Sequence, residues 1–182
     1  MQQFNTPTKI IDLNILRIAK TSLILTVVLS ISLLLLNSAV HRDFTFDFSW
    51  LGLFLFLVGY IVLIVLHEAS HLIGFVLFAK VPWRSLDFGV NLQLGVAYAT
   101  TSEAVQNNAL KKVLILPFWT TGVLPAVIAI SINSPLLTLL SAWLMAVAVG
   151  DFTMIRELRT VDDDAWIKDD PELPKLYIFE HK

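Results

Sequence analysis

There is no cysteine among the 182 residues. Disulfides, thiolate metal ligands and a cysteine nucleophile are therefore excluded, and any metal would have to be held by His, Asp or Glu. Charge is scarce: 15% of the residues are charged, against roughly a quarter in an ordinary soluble domain. Thirteen Lys and Arg against 15 Asp and Glu leave a net charge of −2. No basic surplus points to nucleic acid as a partner. Also missing are internal repeats, low-complexity tracts and any polar stretch long enough for a separate soluble domain; the length allows one domain.

What abounds is hydrocarbon: 56% of the residues are hydrophobic and the mean hydropathy is +0.73. Four apolar runs stand out, Thr21–Val40, Trp50–Phe78, about Val113–Ser131 and about Ser134–Ile155. At about 1.5 Å per helical residue, each can cross roughly 30 Å of hydrocarbon. The first run is too long for the core of a signal peptide, and Asn37-Ser38-Ala39 is a poor cleavage site, so it reads as a retained helix. Only Ile132 and Asn133 separate the third run from the fourth, which predicts a tight helical hairpin.

Orientation follows from Lys and Arg. Lys9, Arg17 and Lys20 precede the first run; Lys80, Arg84, Lys111 and Lys112 lie between the second and third; Arg156, Arg159, Lys168, Lys175 and Lys182 follow the fourth. Only Arg42 falls in the first loop. The expected layout is a cytoplasmic segment 1–20, a four-helix transmembrane domain 21–155 and an acidic, solvated cytoplasmic tail 156–182. Both termini then face the cytoplasm, in the cell membrane, with lipid around the helices. Trp50 and Trp83 suit interfacial anchoring.

The stretch 81–103 breaks the helical pattern with Pro82, Gly89 and Gly95. Leu86–Val90 and Leu94–Thr100 read as two short strands around Asn91-Leu92-Gln93. The fold class expected is an all-α membrane protein, with four transmembrane helices and a short β-hairpin between the second and third. Pro117, Thr120, Thr121, Gly122 and Pro125 interrupt the third helix and predict a kink, from packing or to open a water path.

Chemistry concentrates in His67-Glu68-Ala69-Ser70-His71, inside the second run. Histidines at i and i+4 project from one helix face and can share a Zn²⁺ ion. Glu68, beside them, is placed to act as general base on a water polarised by the metal. Ionisable groups at membrane depth cost about 3 kcal/mol each on insertion scales and mark functional sites by default. The bland reading is a polar helix–helix contact.

A catalytic zinc site keeps three protein ligands and one open position. A metzincin would place the third ligand at Leu77, which cannot bind metal. His41 falls in the external loop and His181 in the tail. Asp151 is the one acidic residue within the third and fourth runs, 17 residues after Ser134, as His67 is 17 after Trp50. The two helices run in the same direction, so both groups sit about 25 Å from the outer edge. Asp151 is thus the candidate third ligand. Glu157 is the alternative, and an interfacial pairing of Asp151 with Arg156 or Arg159 is the reading without metal.

With His67–His71, Tyr98-Ala99-Thr100 and Gly150-Asp151 in place, the chain resembles the putative zincin peptidase family of small bacterial membrane proteins. More broadly it resembles site-2-protease-type intramembrane zinc metalloproteases. The resemblance runs from roughly Val62 to Ile155. It implies a zinc-dependent membrane peptidase with His67, His71 and Asp151 as ligands and Glu68 as catalytic base. Where site-2 proteases carry Asp-Gly, this chain has Gly150-Asp151-Phe152.

The function expected is a zinc-dependent endopeptidase that hydrolyses peptide bonds in or near the membrane, with a peptide or a membrane protein as substrate. Asn91, Gln93 and Tyr98 are the candidate substrate-binding residues: an exposed hairpin edge can pair with an extended peptide, and a tyrosine hydroxyl can donate to its carbonyl. An ordinary turn and a packed aromatic are the plain alternatives. The rival from another class is a non-catalytic membrane protein that binds metal or a partner. A metal-ion carrier ranks lower, because the outer halves of the runs lack the ionisable groups that would line a path.

Overall fold

A computed structural model describes residues 6–43, 49–91, 95–170 and 173–179. Helix dominates. Strand β1 (Lys9–Asp12) is followed by α1 (Ile15–His41), α2 (Trp50–Phe78), β2 (Leu86–Asn91), β3 (Val96–Thr101) and β4 (Val105–Gln106). Helix α3 (Asn107–Pro117) passes through a π-helical turn, Phe118–Val123, into α4 (Leu124–Ser131). The chain then forms α5 (Pro135–Val147), α6 (Val149–Leu158), β5 (Trp166–Asp169) and β6 (Lys175–Phe179). Four helical segments are long and apolar enough to cross a membrane: Ile15–His41, Trp50–Phe78, Asn107–Ser131 and Pro135–Leu158.

The chain divides into two compact units. One comprises Arg17–His67 and Pro117–Val149. Here α1 is tied at both ends: Ser22 Oγ donates to the Ala146 carbonyl at 2.9 Å, and Asn37 Nδ2 donates to Asn133 Oδ1 at 2.8 Å. His41 Nε2 donates to the Ile130 carbonyl at 2.6 Å. Trp143 receives Phe56 and Tyr60 edge-on, at centroid separations of 5.0 and 5.3 Å. The outward sides of α1 and α2 expose Leu23, Val27, Ile31, Leu35, Phe54, Leu57 and Ile61, surface that water would not tolerate in such amount.

The π-helical turn has a local cause. Pro125 has no N–H to close a helical bond, and Pro117 disturbs the turn before it, so the ladder widens between them. Thr121 Oγ1 donates to the Pro117 carbonyl at 2.8 Å inside this turn.

The other unit comprises Met1–Leu16, Glu68–Leu116 and Gly150–Lys182. It holds two small sheets. β2 and β3 pair antiparallel, with Leu86 opposite Thr101 and Asn91 opposite Val96. The second sheet has the order β1-β6-β5-β4, with antiparallel neighbours. Its inward residues Ile11, Val105, Ile167, Leu176 and Ile178 form one buried cluster with Phe75, Leu110, Val113, Leu114 and Leu158. Each fully buried Ile or Leu contributes roughly 1.5–3 kcal/mol. Helix α2 meets α3 at Gly74, where an added Cβ would lie 3.2 Å from Val113 Cα.

Two expectations are corrected here. The fold is mostly helical with two small sheets, not all-α with a lone hairpin. The segment after Thr160 is not merely a solvated tail: β5 and β6 bring Ile167, Leu176 and Ile178 into the core. Strand β1, within the segment 1–20 expected ahead of the first helix, likewise belongs to the sheet. Helices α1 and α3 begin about six residues earlier than the apolar runs, since polar residues at a helix end do not lower hydrogen bonding.

Candidate metal centre

Helix α2 is unbroken from Trp50 to Phe78, so His67 and His71 stand one turn apart on one face. Both are buried, at 3% and 6% exposure. Val113 of α3 comes close because Gly74 lacks a side chain, and its carbonyl lies 3.3 Å from His71 Nδ1. A carbonyl oxygen only accepts, so Nδ1 carries the hydrogen and Nε2 is left with its lone pair.

The same logic applies to His67. Its Nδ1 is 3.3 Å from Thr121 Oγ1, whose own hydrogen is committed to the Pro117 carbonyl. The hydroxyl oxygen therefore accepts from Nδ1–H, and the lone pair of the His67 ring again falls on Nε2. Backbone and hydroxyl partners of this kind fix the tautomer and orientation of metal-binding imidazoles.

Asp151, in the first turn of α6, places Oδ1 3.3 Å from His71 Nε2. A lone pair facing a carboxylate oxygen is repulsive unless a positive centre lies between them. Bonds of about 2.0–2.1 Å in tetrahedral geometry put two ligand atoms about 3.3 Å apart, so the pair matches the edge of a zinc site. His67, His71 and Asp151 each offer one ligand atom, all within 4.8 Å of one another. Two imidazole nitrogens and one carboxylate oxygen form a donor set that suits zinc and leaves a coordination position open. Glu68, half-buried, follows His67 directly.

Other sequence candidates fall elsewhere. Glu157 is exposed near the end of α6 and stands outside this group. Asn91 and Tyr98 lie on β2 and β3, with alternation placing Tyr98 and Thr100 on the face shared with Asp87 and Gly89. Tyr98 lies across Gly89: an added Cβ there would fall 2.9 Å from the phenol oxygen. Gln93 and His181 lie outside the described residues.

Sequence reasoning missed Asp169. It lies half-buried on β5, opposite Leu176 of β6. Burial pushes its carboxyl from 3.8 up to about 7, while the Asp170 backbone and the Thr100 hydroxyl pull it part of the way back. A group whose folded value lies above its unfolded one contributes stability below the unfolded value, and this is lost as pH rises through the folded value. The metal-free protein should therefore lose thermal stability as pH rises from about 4 to about 7. In Asp169→Asn that slope should be shallower. An unchanged slope in melting curves would count against the assignment.

Residues 60–166 match the family model described as putative zincin peptidase. No curated protein and no solved structure matches the chain.

Proposed function

The chain belongs to the putative zincin peptidase family, and from that premise we propose that it is a zinc-dependent endopeptidase embedded in the cell membrane, cleaving peptide bonds in or beside the bilayer. The observation that carries this reading is the convergence of His67, His71 and Asp151, with a backbone or hydroxyl partner at each imidazole Nδ1 that puts the ring's lone pair on Nε2. The four long apolar helices support membrane insertion, and the distribution of Lys and Arg supports cytoplasmic termini.

Zinc, when bound, supplies Lewis acidity toward a substrate carbonyl and toward water. Glu68 takes the proton from the attacking water and delivers it to the departing amide nitrogen, so the amine leaves neutral. Asp151 neutralises part of the metal's charge. The β2–β3 hairpin offers backbone groups along its edges to an extended peptide. Asn91, Gln93 and Tyr98 are assigned to substrate binding, with Tyr98 a hydroxyl donor to the substrate carbonyl. A transmembrane substrate must unwind locally before its peptide bond can enter, because helical hydrogen bonding shields it.

The deciding experiment is metal analysis of the detergent-purified chain. Wild type should carry one zinc per chain, and His67→Ala, His71→Ala and Asp151→Ala should each lose it while retaining helical content. A well-folded wild type that takes up no zinc, even when supplied, would leave a polar helix contact as the better account.

A further inference from the structure

In the π-helical turn Phe118–Val123 the Leu124 N–H donates to the Trp119 carbonyl, five residues back rather than four. Pro125 follows without an N–H, so no bond from that position draws the ladder back into step. Such turns are rare and concentrate at functional sites. This one buries Thr121 and Gly122 and leaves Trp119 and Thr120 exposed. Helix α5 comes in close at Gly122, where an added Cβ would lie 2.9 Å from Met145 Cγ and 3.5 Å from Met145 Cα. Thr121 Oγ1 lies 3.3 Å from His67 Nδ1. The extra residue sets this aim: at about 100° per residue, an unbroken α-helix would swing position 121 by that much relative to α4.

The bond to the Pro117 carbonyl does not by itself mark a function. Thr26, Thr138 and Ser141 likewise donate to the carbonyl four residues earlier, a common habit of hydroxyls in apolar helices. Thr121 differs in what its oxygen then does. With its hydrogen committed to Pro117, the hydroxyl faces His67 as an acceptor only, and both residues are 3% exposed, so water does not compete. We propose that this turn is part of the metal centre, with Thr121 a positioning residue for His67. Its oxygen keeps the hydrogen on Nδ1 and fixes the plane of the ring, so that the nitrogen with the lone pair is held in place for a divalent cation. The two histidines are then supported unequally. The Val113 carbonyl that serves His71 belongs to the backbone, and no side-chain replacement removes it. His67 depends on one side-chain oxygen, so the helix α3–α4 tunes the affinity of a site to which it supplies no ligand. This rests on the zinc reading above and adds an element to it.

The test is zinc affinity by competition with a chelator, on the full chain in detergent at fixed pH. Thr121→Val keeps the shape of the side chain and removes its oxygen. It should weaken binding by about 10-fold, at the lower end of the 10–100-fold typical for partners just outside the ligand shell. Thr121→Ser restores the oxygen and should recover most of the affinity. Thr138→Val separates the proposed role from a structural one. Thr138 is fully buried and makes the same bond to a carbonyl, at 2.9 Å from that of Ser134, with no histidine on its oxygen. It should bind zinc as wild type. Nitrogen NMR of labelled histidine gives a second readout, without metal. His67 should carry its hydrogen on Nδ1 in wild type and Thr121→Ser, and show mixed tautomers in Thr121→Val. If Thr121→Val fails to fold, Thr121→Ala takes its place. Wild-type affinity in the folded variant lacking the oxygen, with zinc lost in His67→Ala, overturns the role of Thr121 and leaves the zinc reading standing. An equal loss in Thr121→Val and Thr138→Val makes the effect one of helix packing and overturns it as well. No zinc in wild type overturns both readings.

Discussion

Replacing Glu68 with Gln is expected to lower peptide hydrolysis by about 10²- to 10⁴-fold, the range for loss of a positioned general base, while the bound zinc stays at one per chain. The substitution keeps the shape of the side chain and its capacity to hydrogen-bond, but Gln cannot take a proton from water. The metal-binding atoms belong to His67, His71 and Asp151, so the centre should assemble without the carboxylate. Zinc content and cleavage of a reconstituted membrane-protein substrate must be read on the same preparation. Hydrolysis lost with zinc retained assigns Glu68 to proton transfer. Loss of zinc together with activity would make Glu68 a ligand and require a different base. Wild-type rates in Glu68→Gln would leave the zinc without a partner for water activation and favour a metal- or partner-binding role.

The proposed membrane setting should make this dependence sharper. His67, Glu68 and His71 lie within a segment long and apolar enough to span the bilayer, where water is scarce. A metal alone lowers the pKa of water toward neutrality, but the proton released must still go somewhere. In bulk solution, solvent can carry it. On the proposed reading the Glu68 carboxylate becomes the route for that proton, so its removal should not be masked by buffer.

Much of this centre was legible in the sequence. The spacing of His67 and His71 needs nothing beyond the helical repeat, and Asp151 emerged from counting residues along two helices that run in the same direction. The orienting partners were not legible. Val113 acts through its backbone carbonyl, which any residue type could offer, and it approaches because of Gly74. Thr121 drew notice as part of a helix interruption, but its approach to His67 depends on the widened π-helical turn between Pro117 and Pro125. Asp169 was hidden for another reason. The acidic run Asp162-Asp163-Asp164 and the prolines at 171 and 174 dominate the composition of the tail, and they mask the alternation in Lys175-Leu176-Tyr177-Ile178-Phe179 that marks β6. Lys9-Ile10-Ile11-Asp12 is too short to announce a strand; it becomes one through pairing with β6, at the far end of the chain.

That pairing of distant segments relies on one buried amide, and its removal should give the largest loss of stability in this unit. Asn107, at the start of α3, is fully buried. Its Nδ2 donates to the carbonyls of Leu158, Val161 and Asp162, at 3.1, 2.8 and 3.0 Å. These carbonyls lie at the end of α6 and in the turn that leads to β5; those of Leu158 and Asp162 also accept from the N–H groups of Val161 and Ala165, at 3.2 and 3.1 Å. The backbone N–H groups of Asn107 and Asn108 also donate to Ala165 and Asp163, at 2.9 and 3.1 Å. Asn107→Ala would keep those two bonds and strip the side-chain donors from a dry interior. The Leu158 and Asp162 carbonyls keep their backbone donors, so the Val161 carbonyl is the group that loses its side-chain partner outright, and the loss should be about 1–3 kcal/mol. Asn107→Asp should be worse, since it turns a carboxylate oxygen toward three carbonyl oxygens. The connection stabilised here joins α6, which carries Asp151, to β5, which carries Asp169. Zinc affinity should therefore fall together with the melting temperature, although Asn107 touches neither carboxylate. Asn107→Ala that melts within a degree or two of wild type would show that water enters to satisfy the Val161 carbonyl. Melting well below wild type with zinc affinity intact would show that the helical ligands hold the metal without help from the sheet.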